Sequence, residues 1–223
     1  INGVGLAGST FEHLPDTLVI VLDREYQPGE IAEVSIDYEH LNVPDQAFYV
    51  DAGNVFTDCE PEGARRWFPC WDKPSDKATL NLRAKVPANV KLGSNGRLAD
   101  SLTIADTTWY TWISRDPIAT YIMVLTSRLN YNLDIVYWEK PSPSTDTLPI
   151  RFYYNPGENP SRIKNMIVPI SDFYYSMFGD HPFEKDGFAT VTRQFSWGGM
   201  ENQSLTTLCQ GCWNDELLVA HEY

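Results

Sequence analysis

A chain of 223 residues is long for one domain and short for two full-sized ones, and 43% hydrophobic with 21% charged residues is the balance of a folded protein, not a disordered one. Its 17 basic and 30 acidic side chains leave a formal charge of −13, a field that repels phosphate backbones and argues against general nucleic-acid binding. The longest apolar runs, such as residues 121–125, fall far short of the roughly 20 residues that a membrane-spanning helix needs.

The 13% aromatic content favours strands or a binding surface. The chain starts at Ile1, with no Met, charged n-region or apolar h-region, so no signal peptide is legible. Such a start is expected of a fragment or a processed product. The compartment, whether periplasmic, exported or cytoplasmic, stays open.

In chain order, residues 18–22 form a short apolar run closed by Gln27-Pro28-Gly29. Residues 32–38 and 80–86 alternate apolar and polar side chains, the pattern of half-buried strands, and the second stops at Pro87. Residues 108–113, 119–125 and 133–138 give three more β-branched and aromatic runs. Turn signals separate them at 93–96, at Asp116-Pro117 and at 141–144. Many strands joined by short turns predict a mainly β fold, an antiparallel sandwich or saddle.

Near residue 158 the period changes. Ile163, Met166, Ile167, Ile170, Phe173, Tyr174, Met177 and Phe178 step by three and four, which predicts one apolar helix face. Asn159 is placed to cap that helix, with Pro160 at its first position and Gly179 at its end. Pro169 lies inside and should kink it, freeing the carbonyl of Asn165. Residues 187–195 return to a strand pattern. Asn214 is then placed to cap a short helix through Leu217, Leu218, Val219 and His221, which must dock on other elements or fray. The expected organisation is a β domain over 1–157, incomplete at its start, and the opening of a second domain over 158–223.

Four cysteines are too few for a disulfide scaffold. Cys209-Gln-Gly-Cys212 lacks the second pair of a zinc ribbon, and no neighbouring βαβ pattern is visible for a redox motif. A structural role is expected, with a disulfide as the alternative.

Two local motifs carry chemistry. Gly198-Gly199-Met200-Glu201-Asn202 follows a predicted strand, and its glycines allow close backbone approach beside a carboxylate and an amide. Some 20 residues on, His221-Glu222 lies on the terminal helix as the first half of a His-Glu-x-x-His pattern, whose histidines share one helix face. A third stretch, Asp58 to Pro74, contains Glu60-Pro61, Ala64-Arg65 and Phe68-Pro69-Cys70-Trp71-Asp72.

Taken together, and in this order, these three motifs resemble the M1 family of zinc aminopeptidases, the gluzincins related to aminopeptidase N. The resemblance runs from about residue 30 to Tyr223. It implies a β-saddle domain followed by the start of a thermolysin-like α/β catalytic domain, cut within its zinc helix. It implies Zn2+ held by two histidines and a downstream glutamate, of which only His221 lies in this chain. Glu222 would be the general base. Glu201 and Glu60 would anchor the free α-amino group of a peptide substrate. Gly198, Gly199, Met200 and Asn202 would line the peptide. Lys73 stands where the family more often has an acidic residue, and a surface effect is expected. The implied activity is removal of N-terminal residues from peptides, with this fragment inactive alone. The alternative is a non-catalytic module of the same fold that binds peptides or acts as a scaffold.

His13, His40 and His181 lie in scattered elements and are expected to be structural or exposed. Arg65 and Arg66 are expected to pair with acidic neighbours. The sequon Asn202-Gln203-Ser204 is read as chance.

Overall fold

Alternating and β-branched residues set most of the strands in the computed structural model, which describes residues 10–40, 47–51, 53–141 and 146–223. The chain divides into two units, Ile1–Pro44 and Asp45–Tyr223. In the first, β1 (Thr10–Leu14) and β2 (Thr17–Val21) form an antiparallel hairpin that contains most of the apolar run at 18–22. Residues 32–38, expected as a strand, form none. Alternation prepares a strand, but a strand also needs a hydrogen-bonded neighbour.

The second unit opens with β3 (Phe48–Asp51) and β4 (Asn54–Thr57), turned through Gly53 at φ +80°. A loop with a 3-10 turn at Ala64–Arg66 leads to β5 (Lys77–Pro87), β6 (Val90–Ser94), β7 (Arg97–Ile104), β8 (Thr107–Ala119) and β9 (Leu125–Leu129). They build a four-stranded sheet in the order β3-β4-β9-β6 and a three-stranded sheet in the order β5-β8-β7. The turn expected at Asp116-Pro117 lies inside β8. The ladder with β5 absorbs it as an irregularity, stepping from Leu80 opposite Ser114 to Ala78 opposite Ile118. A bulge is where a strand tolerates proline, which has no N–H to donate. The turn expected at 93–96 is shorter, because Gly93 and Ser94 still belong to β6. Most of the turn expected at 141–144 lies outside the described residues.

The third sheet carries the site. β10 (Asn132–Glu139) pairs with β11 (Thr147–Tyr154), and α1 (Ser161–Phe178) crosses to β12 (Asp186–Thr190), which lies parallel to β11. β13 (Gly199–Met200) and β14 (Thr206–Leu208) complete the order β10-β11-β12-β14-β13, and α2 (Glu216–Glu222) follows. A βαβ unit is therefore present, although the sequence showed none. The break expected near residue 158 falls between β11 and α1, and this sheet uses strands from both sides of it.

The apolar stripe of α1 divides in two. Ile163 and Ile167 are fully buried against Trp138, Ile150, Phe152 and Phe188, whereas Phe173, Met177 and Phe178 are 58%, 62% and 81% exposed. The N-cap of α1 is Pro160, without a side-chain cap; Asn159, expected as the cap, stands one residue earlier, where its Oδ1 accepts the Ser161 N–H at 3.0 Å. The helix of α2 is capped by Asp215, not Asn214: its Oδ1 accepts the Leu218 N–H at 3.0 Å. Docking of Val219 in the core that contains Phe152, Phe188 and Trp213 stabilises a helix too short to persist alone.

Phe188 is the centre of that core, with ring centroids 5.5 Å from Phe152, 5.7 Å from Tyr223 and 6.4 Å from Trp213. Phe188→Ala is expected to lower unfolding free energy by about 3–5 kcal/mol. Urea unfolding checks this, and a loss below about 1 kcal/mol would contradict the central place given to this ring.

Candidate functional site

The site is built where β13, the edge strand of the third sheet, meets α2. β13 is short but fixed: Gly199 and Met200 lie opposite Leu208 and Thr207 of β14, and the Gly198 carbonyl accepts the Cys209 N–H at 2.9 Å. Neither Gly198 nor Gly199 has a left-handed φ. Glycine is needed there for space. A Cβ on Gly199 would stand 2.5 Å from both Cγ and Cδ of Glu222, and one on Gly198 would stand 2.8 Å from Leu218 Cδ1. The absent side chains let the helix lie against the strand.

Alternation along the strand then sorts the motif. Met200 is buried beside Phe56, Val191 and Phe195, while Glu201 is exposed. Asn202 turns inward: its Nδ2 donates to Thr207 Oγ1 at 3.0 Å and its backbone N–H to the Met200 carbonyl at 2.9 Å. At 3% exposure this side chain shapes the loop and offers no accessible glycan acceptor.

On α2, His221 is exposed and Glu222 is 9% exposed. The Glu222 carbonyl accepts the Thr206 hydroxyl at 2.9 Å, which binds the helix end to β14. Burial raises the Glu222 carboxyl above its ordinary pKa, the nearby charges of Glu201 and Glu60 raise it further, and His221 opposes them. The charges of Glu201 and Glu60 therefore both reach Glu222, although Glu60 comes from the loop after β4.

That loop is held by its own polar contacts. Arg65 Nε donates to Asp72 Oδ2 at 2.8 Å, and Arg65 Nη2 and Lys73 Nζ each reach Glu62 at 2.8 Å. Asp72 Oδ1 accepts the Thr120 hydroxyl at 3.0 Å. Arg65 is thus committed to acidic neighbours, and Lys73 to an exposed ion pair. His181 is structural, its Nε2 2.8 Å from Asp186 Oδ2. Cys209 and Cys212 are joined as a disulfide with Cα atoms 5.5 Å apart.

The third motif holds one further residue of the site. Asp58 is buried, and its Oδ1 has no hydrogen-bond partner. Burial and then the charge of Glu60 push its carboxyl up to about 6, against a hydrogen bond with Trp197. Its place two residues before Glu60 was the available signal, but an aspartate beside a glutamate is common in any acidic chain.

Among the described residues no group of three or more His, Cys, Asp or Glu side chains is placed to hold a metal ion. His221 alone does not make a zinc site, which takes at least three protein ligands.

The profile of the Peptidase M1 N-terminal domain matches residues 2–122, more than half of the sequence. The chain belongs to the M1 peptidase family. Among M1 relatives it is similar to glutamyl aminopeptidase of Rattus norvegicus, 27% identical over 68% of this chain and 16% of that protein. It is also similar to aminopeptidase 2 of Candida albicans, 24% identical over 93% of this chain and 23% of that protein. The M1 zinc metallopeptidase of Deinococcus radiodurans superposes with a TM-score of 0.75 at 24% identity, over 96% of this chain and 50% of that one. A mutant of the same enzyme bound to a Tyr-Ser-Ala substrate gives 0.78 at 22% identity, again over 96% and 50%. The chain thus spans about half of these M1 structures and less than a quarter of these curated relatives.

The raised Asp58 pKa has a definite sign. The native M1 chain holds this proton more tightly than the unfolded one, so the group's contribution to stability is complete below an ordinary carboxylate pKa of about 4 and is lost as pH rises through about 6. The stability of the wild type relative to Asp58→Asn is expected to fall between about pH 4 and pH 6.5. Urea titrations across that range check it, and a pH-independent difference would contradict the assignment.

Proposed function

We propose that the whole protein is a zinc-dependent aminopeptidase that hydrolyses the first peptide bond of substrates bearing a free N-terminus. The observation that carries this reading is the edge strand whose glycines admit the helix of Glu222, with the charges of Glu201 and Glu60 both acting on that carboxyl. Membership of the M1 family supports peptidase chemistry, and the printed names of the relatives are those of aminopeptidases.

Each residue has a role in that chemistry. Glu201 and Glu60 accept charge-assisted hydrogen bonds from the substrate's α-ammonium, which an internal peptide segment lacks. The backbone of Gly198 and Gly199, on the edge strand, aligns the extended peptide. Met200 and Asn202 act through the loop they shape. Glu222 takes a proton from the attacking water, and its raised proton affinity brings it closer to the working range of a general base. His221 is the ligand this chain offers to zinc, with the remaining ligands assigned to other parts of the whole protein. Zinc, when bound, supplies a water of lowered pKa and polarises the scissile carbonyl.

We assign residues 158–223 to the opening of a thermolysin-like catalytic domain and 1–157 to the β-saddle. β10 and β11 belong to the saddle by chain position and to the catalytic sheet by hydrogen bonding. The second reading is a non-catalytic peptide-binding module of the same fold.

The two readings separate in one experiment. The whole protein is expected to contain about one zinc per chain and to hydrolyse an aminoacyl-arylamide. Peptide binding with neither zinc nor hydrolysis would establish the second reading instead.

A further inference from the structure

We propose that Lys185 is a positioning residue for this site, tying the loop that carries Glu201 to the β6–β7 turn. The proposal rests on the aminopeptidase reading for its consequence but not for its geometry.

Lys185 is 1% exposed, immediately before β12. Its Nζ donates to the Ser94 carbonyl at 2.9 Å and to the Ser204 carbonyl, and it lies 5.2 Å from the centre of the Trp112 ring. Among the described residues no carboxylate is paired with it. Its neighbour Asp186 is engaged with His181 Nε2 and with the Gly187 N–H at 2.6 Å. An ammonium buried without a counter-ion is costly, and an apolar side chain of similar volume would avoid that cost. What lysine adds here is a pair of hydrogen bonds joining the backbones of two distant segments.

A second set of bonds runs alongside. Asn95 Nδ2 donates to the Gln203 carbonyl at 2.8 Å, and the Gly96 N–H donates to Ser204 Oγ at 2.8 Å. Between them sits Ser204 at φ +65°, a left-handed conformation that costs a non-glycine residue about 1 kcal/mol or more. The loop is therefore held in a conformation it would not keep unaided. Its start is Glu201. Its end is Thr206, whose hydroxyl bonds the Glu222 carbonyl. Holding Ser204 thus fixes the spacing of both carboxylates. Burial pushes the Lys185 ammonium down to about 7, with Asp186 opposing and Arg151 adding to the shift. A neutral amine still has two N–H groups, so both protonation states preserve the two bonds.

The test uses the whole protein as wild type, Lys185→Met and Ser204→Ala, each with and without Glu201→Gln. In Lys185→Met, amide hydrogen exchange over residues 202–206 is expected to quicken about tenfold or more. KM for an aminoacyl-arylamide is expected to rise about 5- to 20-fold, with kcat changed less than about twofold and zinc content unchanged. In the Glu201→Gln background the same substitution should move KM less than about twofold, because the group being positioned is gone. Ser204→Ala, which removes only the Gly96 contact, should shift exchange and KM in the same direction by less, and it decides the matter if Lys185→Met does not fold. Unchanged exchange in the variants, or a KM penalty of equal size with and without Glu201, would overturn the proposal. A wild type without hydrolysis would remove the aminopeptidase reading while the exchange measurement still decides the clamp.

Discussion

The chemistry proposed for this chain depends on the close approach of β13 to α2. Gly199 lets the Glu222 stem, and Gly198 lets Leu218, occupy the space where a Cβ would be. That contact fixes the depth at which the helix lies, and Val219 and Tyr223 then reach the core around Phe188. A helix of this length has little stability of its own, so its position is the position of the surface it packs on. The placement of Glu222 is in this sense a property of the strand.

The electrostatics follow from the same contact. Docking buries Glu222 beside two other carboxylates, and burial with like charge works against its ionised form. Such conflict is tolerated at functional sites because a ligand resolves it. In the proposed aminopeptidase reading, a substrate ammonium near Glu60 and Glu201 would relieve that repulsion. Asp58 extends the acidic character inward, its carboxyl pushed up to about 6 by burial and then by the charge of Glu60. The rest of the acidic surplus is spread over the molecule and takes no part in this arrangement.

Local chemistry was legible in the sequence where it was self-contained. The three motifs, the strands around residues 80–86 and 133–138, and the helix from residue 161 all follow from period and residue type. What escaped was decided by distant partners. Residues 32–38 alternate correctly yet form no strand. β8 runs through Asp116-Pro117 because β5 accepts the irregularity. β11 contains Pro149, which lies before the first residue paired with β12, so its missing N–H costs that ladder nothing. The site was legible as a set of residue types but not as a division of labour. Met200 and Asn202 look like binding residues in the motif and prove to face inward. Lys185 carries no motif and Asp58 merely opens one, because a buried charge is visible only once the surrounding chain has closed over it.

The account makes the space at Gly199 the controlling feature, and one substitution tests that directly. Gly199→Ala leaves the backbone in an allowed conformation but puts a methyl group where Glu222 now lies. In the whole protein, kcat/KM for an aminoacyl-arylamide is expected to fall about 100-fold, the effect of a displacement near 1 Å at a reacting group, with zinc content and urea midpoint close to wild type. Wild-type kcat/KM in a folded Gly199→Ala protein would contradict the claim that this contact places Glu222 for the proposed chemistry.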